Sequence, residues 1–386
     1  MTSTSRRGRV LLALLALSAL AATSACQDGA PSTHAAAVTP ATPRLVPVAR
    51  AGLVDWSRPM VLAVTDGTLT SATVTDPLGY PLEGQVDDGR WSSTGDLVPD
   101  SGYHVRAALR DTAGTASTVE LTVRTTRATK VLTATHSPRS ERVVGVGLPA
   151  IITLNRSVTD PADRAAVVQR LSVQTEPHVE GAWRWMNDKE LHYRGPAYWA
   201  KGTQIDVHSA LEGLRLSHGV WGKGSVDTHF SVGSAVIATV DVEKKQMTVT
   251  VDGRLVRTVK VSTGRDKYPT RGGVHLVLEK IKLEIMDSAT VGIPRKAPDG
   301  YYEEVPNSVR ISYGGAFVHA ASWSVRDQGV RNVSHGCVNV SPADAAWFFD
   351  LVRRGDVVHI INAKAPPLLH DPGTSDWNIP FSTWAS

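Results

Sequence analysis

The sequence predicts a mainly β protein: two immunoglobulin-like β-sandwich domains, then a third β-rich domain with one main helix and a C-terminal extension. Three observations predict it. Short runs of β-branched residues recur from Pro47 onward, cut by Asp-Gly and Asp-Pro turns. One stretch, after Ser341, combines a strong helix cap with apolar i, i+4 pairs. The 386 residues are 42% apolar and 20% charged. That is chain enough for two or three domains with their own cores, and it excludes disorder, collagen and a multi-span membrane protein.

Residues 1–25 read as a removable export signal. Arg6, Arg7 and Arg9 form a positive n-region, Val10 to Ala22 is apolar but for Ser18, and Thr23, Ser24 and Ala25 are small. The apolar stretch is too short to span a membrane, which takes ~20 helical residues. Thr23-Ser24-Ala25-Cys26 resembles the lipobox of bacterial lipoproteins, with Cys26 as the lipidated first residue and Thr23 where Leu is usual. This predicts a membrane partner through a lipid anchor, outside the cytoplasm. Residues 26–46, rich in Ala, Pro, Thr and Ser, form a linker that reaches ~60 Å at ~3.1 Å per residue.

Lys plus Arg total 41 against 37 acids, a formal charge of +4. Removing residues 1–25, with three cations and no acid, leaves 38 − 37 = +1. Without clustered positive charge, nucleic acid is not the predicted partner.

The first sandwich is placed at residues 47–127. Val61 to Val64 precedes Asp66-Gly67, Ala72 to Thr75 precedes Asp76-Pro77, and Tyr103–Ala107 and Val119–Val123 alternate apolar and polar residues. The second is placed at 128–233, with a short helix from Pro161 to Leu171 capped by Asp160. Its Trp183, Trp185, Trp199 and Trp221 are read as core rather than as sugar-stacking surfaces, because Trp buries large area in small sandwiches. The third domain, 234–362, opens with a hairpin across Asp252-Gly253. Its helix has Ser341 as cap, Pro342 in the first turn, Trp347/Leu351 and Phe348/Val352 as apolar pairs, and Gly355 as its end. Residues 363–386 keep Trp377, Ile379, Phe381 and Trp384, too apolar to hang free, and are expected to dock on the third domain.

The chemistry is sought at Cys337, in Ser334-His335-Gly336-Cys337-Val338-Asn339, eighteen residues after His319. An unpaired cysteine among His, Gly, Ser and Asn suits a reactive thiol better than an inert core residue. A Gly turn before a capped helix can aim backbone N–H groups at one spot, lowering a thiol pKa and holding an oxyanion. A nucleophilic thiol needs a base. His319, at a strand end, can face it, whereas His335 is expected to contribute backbone. No acid is obviously placed to orient the base, and a backbone carbonyl can serve instead. Zinc on His319, His335 and Cys337 lacks a second Cys pair or H-x-x-x-H spacing, so no metal or cofactor is predicted.

His319-Ala320 followed by Ser334-His335-Gly336-Cys337-Val338-Asn339 resembles the signature of the L,D-transpeptidase (YkuD-type) catalytic domain. Val261-Ser262-Thr263-Gly264 and Pro269-Thr270-Arg271-Gly272 fit its earlier segment, and the whole chain resembles the actinobacterial, mycobacterial-type lipoprotein members. The resemblance implies peptidoglycan stem peptides as donor and acceptor, 3→3 cross-links through a Cys337 thioester, and a covalent adduct with carbapenems. His319 matches the base, and Ala320, where Ser is commoner, supplies the main-chain carbonyl that orients it. The amides near His335, Gly336 and Cys337 match the oxyanion hole. Met286 and Tyr301 match a flap over the pocket, Trp323 a neighbouring aromatic, and Gly314, Gly315, Asn339 and Ser334 the substrate-binding positions, while Val291 stands where relatives can carry an aromatic. A thiol peptidase or carboxypeptidase using the same dyad, or a catalytically dead cell-wall binding lipoprotein, are the alternatives.

Overall fold

The β-branched runs fold as strands because their alternation gives each strand one face to bury. In Gly102–Asp111, Tyr103, Val105, Ala107 and Leu109 are buried and their neighbours face outward. The computed structural model describes residues 41–50, 52–139, 142–369 and 376–386. The predicted signal, Cys26 and the linker as far as residue 40 lie outside the described residues. Among those described, no helix is long and apolar enough to cross a membrane.

Two four-stranded sheets enclose the first core. One runs Arg44–Pro47, Val61–Thr65, Arg90–Ser93, Gly84–Asp87, the other Leu53–Val54, Ala116–Thr125, Gly102–Asp111, Gly67–Thr75. Trp56, Met60 and Trp91 fill it. A second pair of four-stranded sheets follows: Ala134–Ser137, Ala150–Leu154, Glu190–Arg194, Ala182–Trp185 against Val143–Val144, Ser225–Val232, Gln204–Ala210, Leu171–Glu176. Trp199 is buried in this core and donates its indole N–H to Leu148 O at 2.7 Å. Trp221 instead meets Trp56 edge-on at 5.4 Å, joining the two sandwiches. The short helix runs Pro161–Val168, with Asp160 accepting from the Ala162 and Asp163 amides. It stops before Leu171, which starts a strand whose edge is taken by Gln204–Ala210.

The third domain sets a five-stranded sheet (Arg254–Lys260, Gln246–Val251, Val236–Asp241, Val357–Ile361, Gly273–Leu276) beside a four-stranded one (Glu279–Asp287, Tyr302–Arg310, Phe317–Ala320, Val338–Val340). Asp252 and Gly253 both take positive φ, as a two-residue hairpin turn of this kind demands. Phe317–Ala320 and Val338–Val340 run parallel. Parallel neighbours need a long crossover, and residues 321–337 supply it, which is how this loop comes to sit over the sheet end. The main helix, Pro342–Leu351, buries Ala345, Phe348 and Phe349, and its Ser341 cap accepts from the Asp344 amide. It ends at Leu351, earlier than Gly355; Val352 is already extended and buried, and Gly355 (φ 90°) serves the turn into the last strand.

The C-terminal extension meets the third domain and also reaches the second sandwich, so that it straps the two together. Trp384 donates to Ala182 O (2.9 Å) and Trp377 to Gly147 O (2.7 Å), while Arg184 and Arg194 donate to Thr383 O and Ile379 O, each at 2.6 Å. On the third domain, Asn378 bonds both the amide and the carbonyl of Val274, Ala365 O accepts from the Gly272 amide, and Lys364 pairs with Asp266. Leu276, Leu278 and Val357 complete the second sandwich's core, so the two units share apolar packing.

Candidate active site

Strand register assembles the site. His319 lies opposite Asn339, flanked by the pairs Val318/Val338 and Ala320/Val340. Side chains alternate across a sheet, so the two flanking pairs go into the core, where they are buried, and His319, Asn339 and Cys337 share the other face. That face floors a cavity of about 250 Å³ lined by Met286, Tyr301, Glu303, His319, Trp323, Ser324, Asp327, Val333, Ser334, His335, Cys337 and Asn339.

His319 Nδ1 donates to the Ala320 carbonyl at 2.9 Å. Neutral imidazole carries one N–H, so this bond leaves Nε2 as the acceptor. Burial holds the ring's pKa down at about 4, against the Ala320 and Asn339 hydrogen bonds that favour its charged form. The Cys337 thiol donates to Gly315 O at 3.6 Å. Burial pushes it up to about 11, only partly offset by the Phe317 amide and Arg310. The expectation of a lowered thiol pKa is thereby overturned: at neutral pH the resting pair is thiol and imidazole, and desolvation outweighs the turn's dipoles.

The turn before Cys337 is held from both sides. Ser334 Oγ donates to Cys337 O (2.7 Å) and accepts from the Gly336 amide (3.1 Å). Thr270 Oγ1 donates to Gly336 O (2.9 Å) and accepts from the Gly264 amide (2.8 Å), and the Ser334 amide donates to Thr263 O. Gly336 adopts φ 121°, a conformation closed to other residues. Because Ser334 already occupies the Gly336 N–H, that amide is not free for an oxyanion, contrary to the expectation.

Met286, Tyr301, Trp323, Ser334 and Asn339 all line the cavity. Asn339 is buried and donates to Ser324 Oγ at 3.0 Å, while Trp323 is 54% exposed with its ring 6.0 Å from that of His319. Gly314 and Gly315 do not line it: Gly314 N bonds Ser312 Oγ, and Gly315 acts through the carbonyl that receives the thiol. His335 does more than lend backbone, since its ring lines the cavity with Tyr268 and Tyr301 each 4.9 Å away. Sequence reasoning missed Ser324, Glu303 and Val333, which the crossover and the neighbouring strand bring in. The Asp327 carboxylate also lines the cavity but is paired with Arg331, an i, i+4 spacing readable in the sequence.

Residues 51–215 match the family described as bacterial Ig domain, and residues 235–360 match the L,D-transpeptidase catalytic domain. The chain is 39% identical over 357 residues to L,D-transpeptidase 2 of Mycobacterium tuberculosis, covering 90% of this chain and 86% of that protein. It is 33% identical over 228 residues to L,D-transpeptidase 1 of the same organism, covering 59% of this chain and 84% of that one. Among solved structures, the LD transpeptidase LdtMt1 in complex with imipenem superposes with a TM-score of 0.52 at 33% identity, covering 59% of this chain and 97% of that one. L,D-transpeptidase 3 from Mycobacterium tuberculosis with a faropenem-derived adduct gives 0.50 at 31%, covering 58% and 96%. With a thiol and a tautomer-fixed histidine on one sheet face and this breadth of similarity, the chain belongs to the L,D-transpeptidase family.

Proposed function

We propose that the protein forms 3→3 cross-links in peptidoglycan through a thioester on Cys337, with His319 as base and acid. The observation that carries this reading is the His319 Nδ1–Ala320 O bond, which leaves Nε2 to accept on the face that holds the thiol. Because thiol and imidazole rest neutral, the proton moves as the bond forms. Sγ attacks the carbonyl of diaminopimelate at the third position of a donor tetrapeptide stem, and His319 Nε2 takes the thiol proton. The Cys337 amide, with Gly336 N committed to Ser334, receives the oxyanion. Collapse expels the terminal D-Ala, whose nitrogen takes the proton from His319. The side-chain amine of a second stem's diaminopimelate attacks the thioester, gives its proton to Nε2, and frees the thiol.

Met286, Tyr301 and Trp323 line the cavity read here as the donor site. A carbapenem acylates the same sulfur, a reading supported by relatives solved with imipenem and with a faropenem-derived adduct. Residues 1–25 direct export, a lipid on Cys26 tethers the chain, and the sandwiches over 47–127 and 128–233 carry the catalytic domain (234–362) into the wall. Incubation with a disaccharide-tetrapeptide tests the reaction: cross-linked dimer with release of D-Ala is expected, and tripeptide alone would assign a hydrolase. Intact-mass measurement with a carbapenem is expected to show one adduct on the native chain and none on Cys337→Ala.

A further inference from the structure

Residues 288–301 link the cavity-lining strands Glu279–Asp287 and Tyr302–Arg310 and form a lid segment whose Tyr301 walls the cavity. Its base is closed by main-chain bonds, Ser288 N to Tyr301 O and Ile293 N to Ser288 O, and by the Arg295–Asp287 ion pair. Two residues before Tyr301 it carries Asp299, which is only 24% exposed at the side chain. Three donors from one neighbouring loop converge on that carboxylate: Arg265, Lys267 at 2.5 Å and the Tyr268 hydroxyl at 3.2 Å. The same Arg265 donates through its NH2 group to His335 Nε2 at 2.8 Å, and the His335 ring also bonds the main chain of Asp299. That ring lies between Tyr268 and Tyr301, and Tyr301 is a cavity wall.

We propose that Asp299 is a positioning residue that clasps the lid shut: it ties the lid to the 264–270 loop and, through Arg265, holds His335 and so Tyr301 against the donor site. The inference rests on the transpeptidase reading for its kinetics but not for its geometry. A bare main-chain lid would keep only the bonds at its base; the Asp299 carboxylate gathers two cations from a separate element. Partly buried, charge-assisted bonds of this kind hold orientation better than exposed pairs do.

The test is Asp299→Asn in the full chain, with Lys267→Gln as a milder variant on an exposed side chain. Two readouts are taken. Tryptic cleavage after Lys296, inside the lid, is expected to run about tenfold faster in Asp299→Asn and a few-fold faster in Lys267→Gln. The KM for the tetrapeptide donor is expected to rise about tenfold with kcat within about twofold, and Asp299→Glu to recover part of it. Unchanged cleavage in both variants would overturn the clasp, as would a fall in kcat at constant KM. If the native chain turns over no tetrapeptide, the proposed function fails while the cleavage rates still decide the lid.

Discussion

The Asp376→Asn substitution probes the strap that joins the second sandwich to the catalytic domain. His192 is fully buried, with Nδ1 2.7 Å from Asp376 Oδ2 and Nε2 2.9 Å from Glu190 Oε1. Burial alone would lower its pKa, yet Asp376 first and Glu190 second outweigh it and raise it from 6.5 to about 9. At ~1.36 kcal/mol per pH unit, that elevation corresponds to roughly 3 kcal/mol of stability. The sign follows from the direction of the shift: the contribution is complete below 6.5 and disappears as pH rises through 9. Asn keeps the shape and one hydrogen bond but removes the charge, leaving Glu190 to hold part of the effect, so about 2 kcal/mol should be lost at pH 6 and almost nothing at pH 10. Guanidinium unfolding followed by tryptophan fluorescence reads this directly, because Trp377 and Trp384 sit in the strap, stacked on the buried Arg194. At slopes of ~2–6 kcal/mol/M, the midpoint should move by roughly half a molar at pH 6. An equal gap between variant and native chain at both pH values would refute the reasoning.

Other outcomes follow from the same geometry. Thioester formation should be flat from about pH 5 to 9 and fall as pH drops through about 4, where His319 gains the proton that blocks its accepting nitrogen; an acid limb centred near 6.5 in kcat/KM would contradict this. Ser334→Ala removes the bond to Cys337 O and releases the Gly336 amide, so acylation by a carbapenem should slow about tenfold, the rate equivalent of ~1.4 kcal/mol, with Tm little changed. Gly145→Ala places a Cβ 2.0 Å from Asp356 N, and calorimetry should show the second sandwich and catalytic domain melting separately after a loss of about 3 kcal/mol.

By itself the sequence determined the β class, both capped helices, the Asp252-Gly253 hairpin, and the thiol and imidazole that meet in one cavity. Each is local: a cap needs one side chain and the next turn's amides, as Asp160 and Ser341 show, and a hairpin needs two residues able to take positive φ. His319 and Cys337 were legible because a lone thiol among polar neighbours has few other uses. Tertiary structure decided what depends on partners far along the chain. The thiol's protonation turned on desolvation, a property of everything packed around it, and so reversed the expectation from the turn alone. Asn339 finds Ser324, and Asp299 finds Arg265, only because a parallel strand pair forces a long crossover and a lid folds back onto another loop. The extension's apolar residues announced that it docks, but its reach to the second sandwich depended on Arg194 and His192, buried groups of another domain to which the strap supplies Ile379 O and the Asp376 carboxylate.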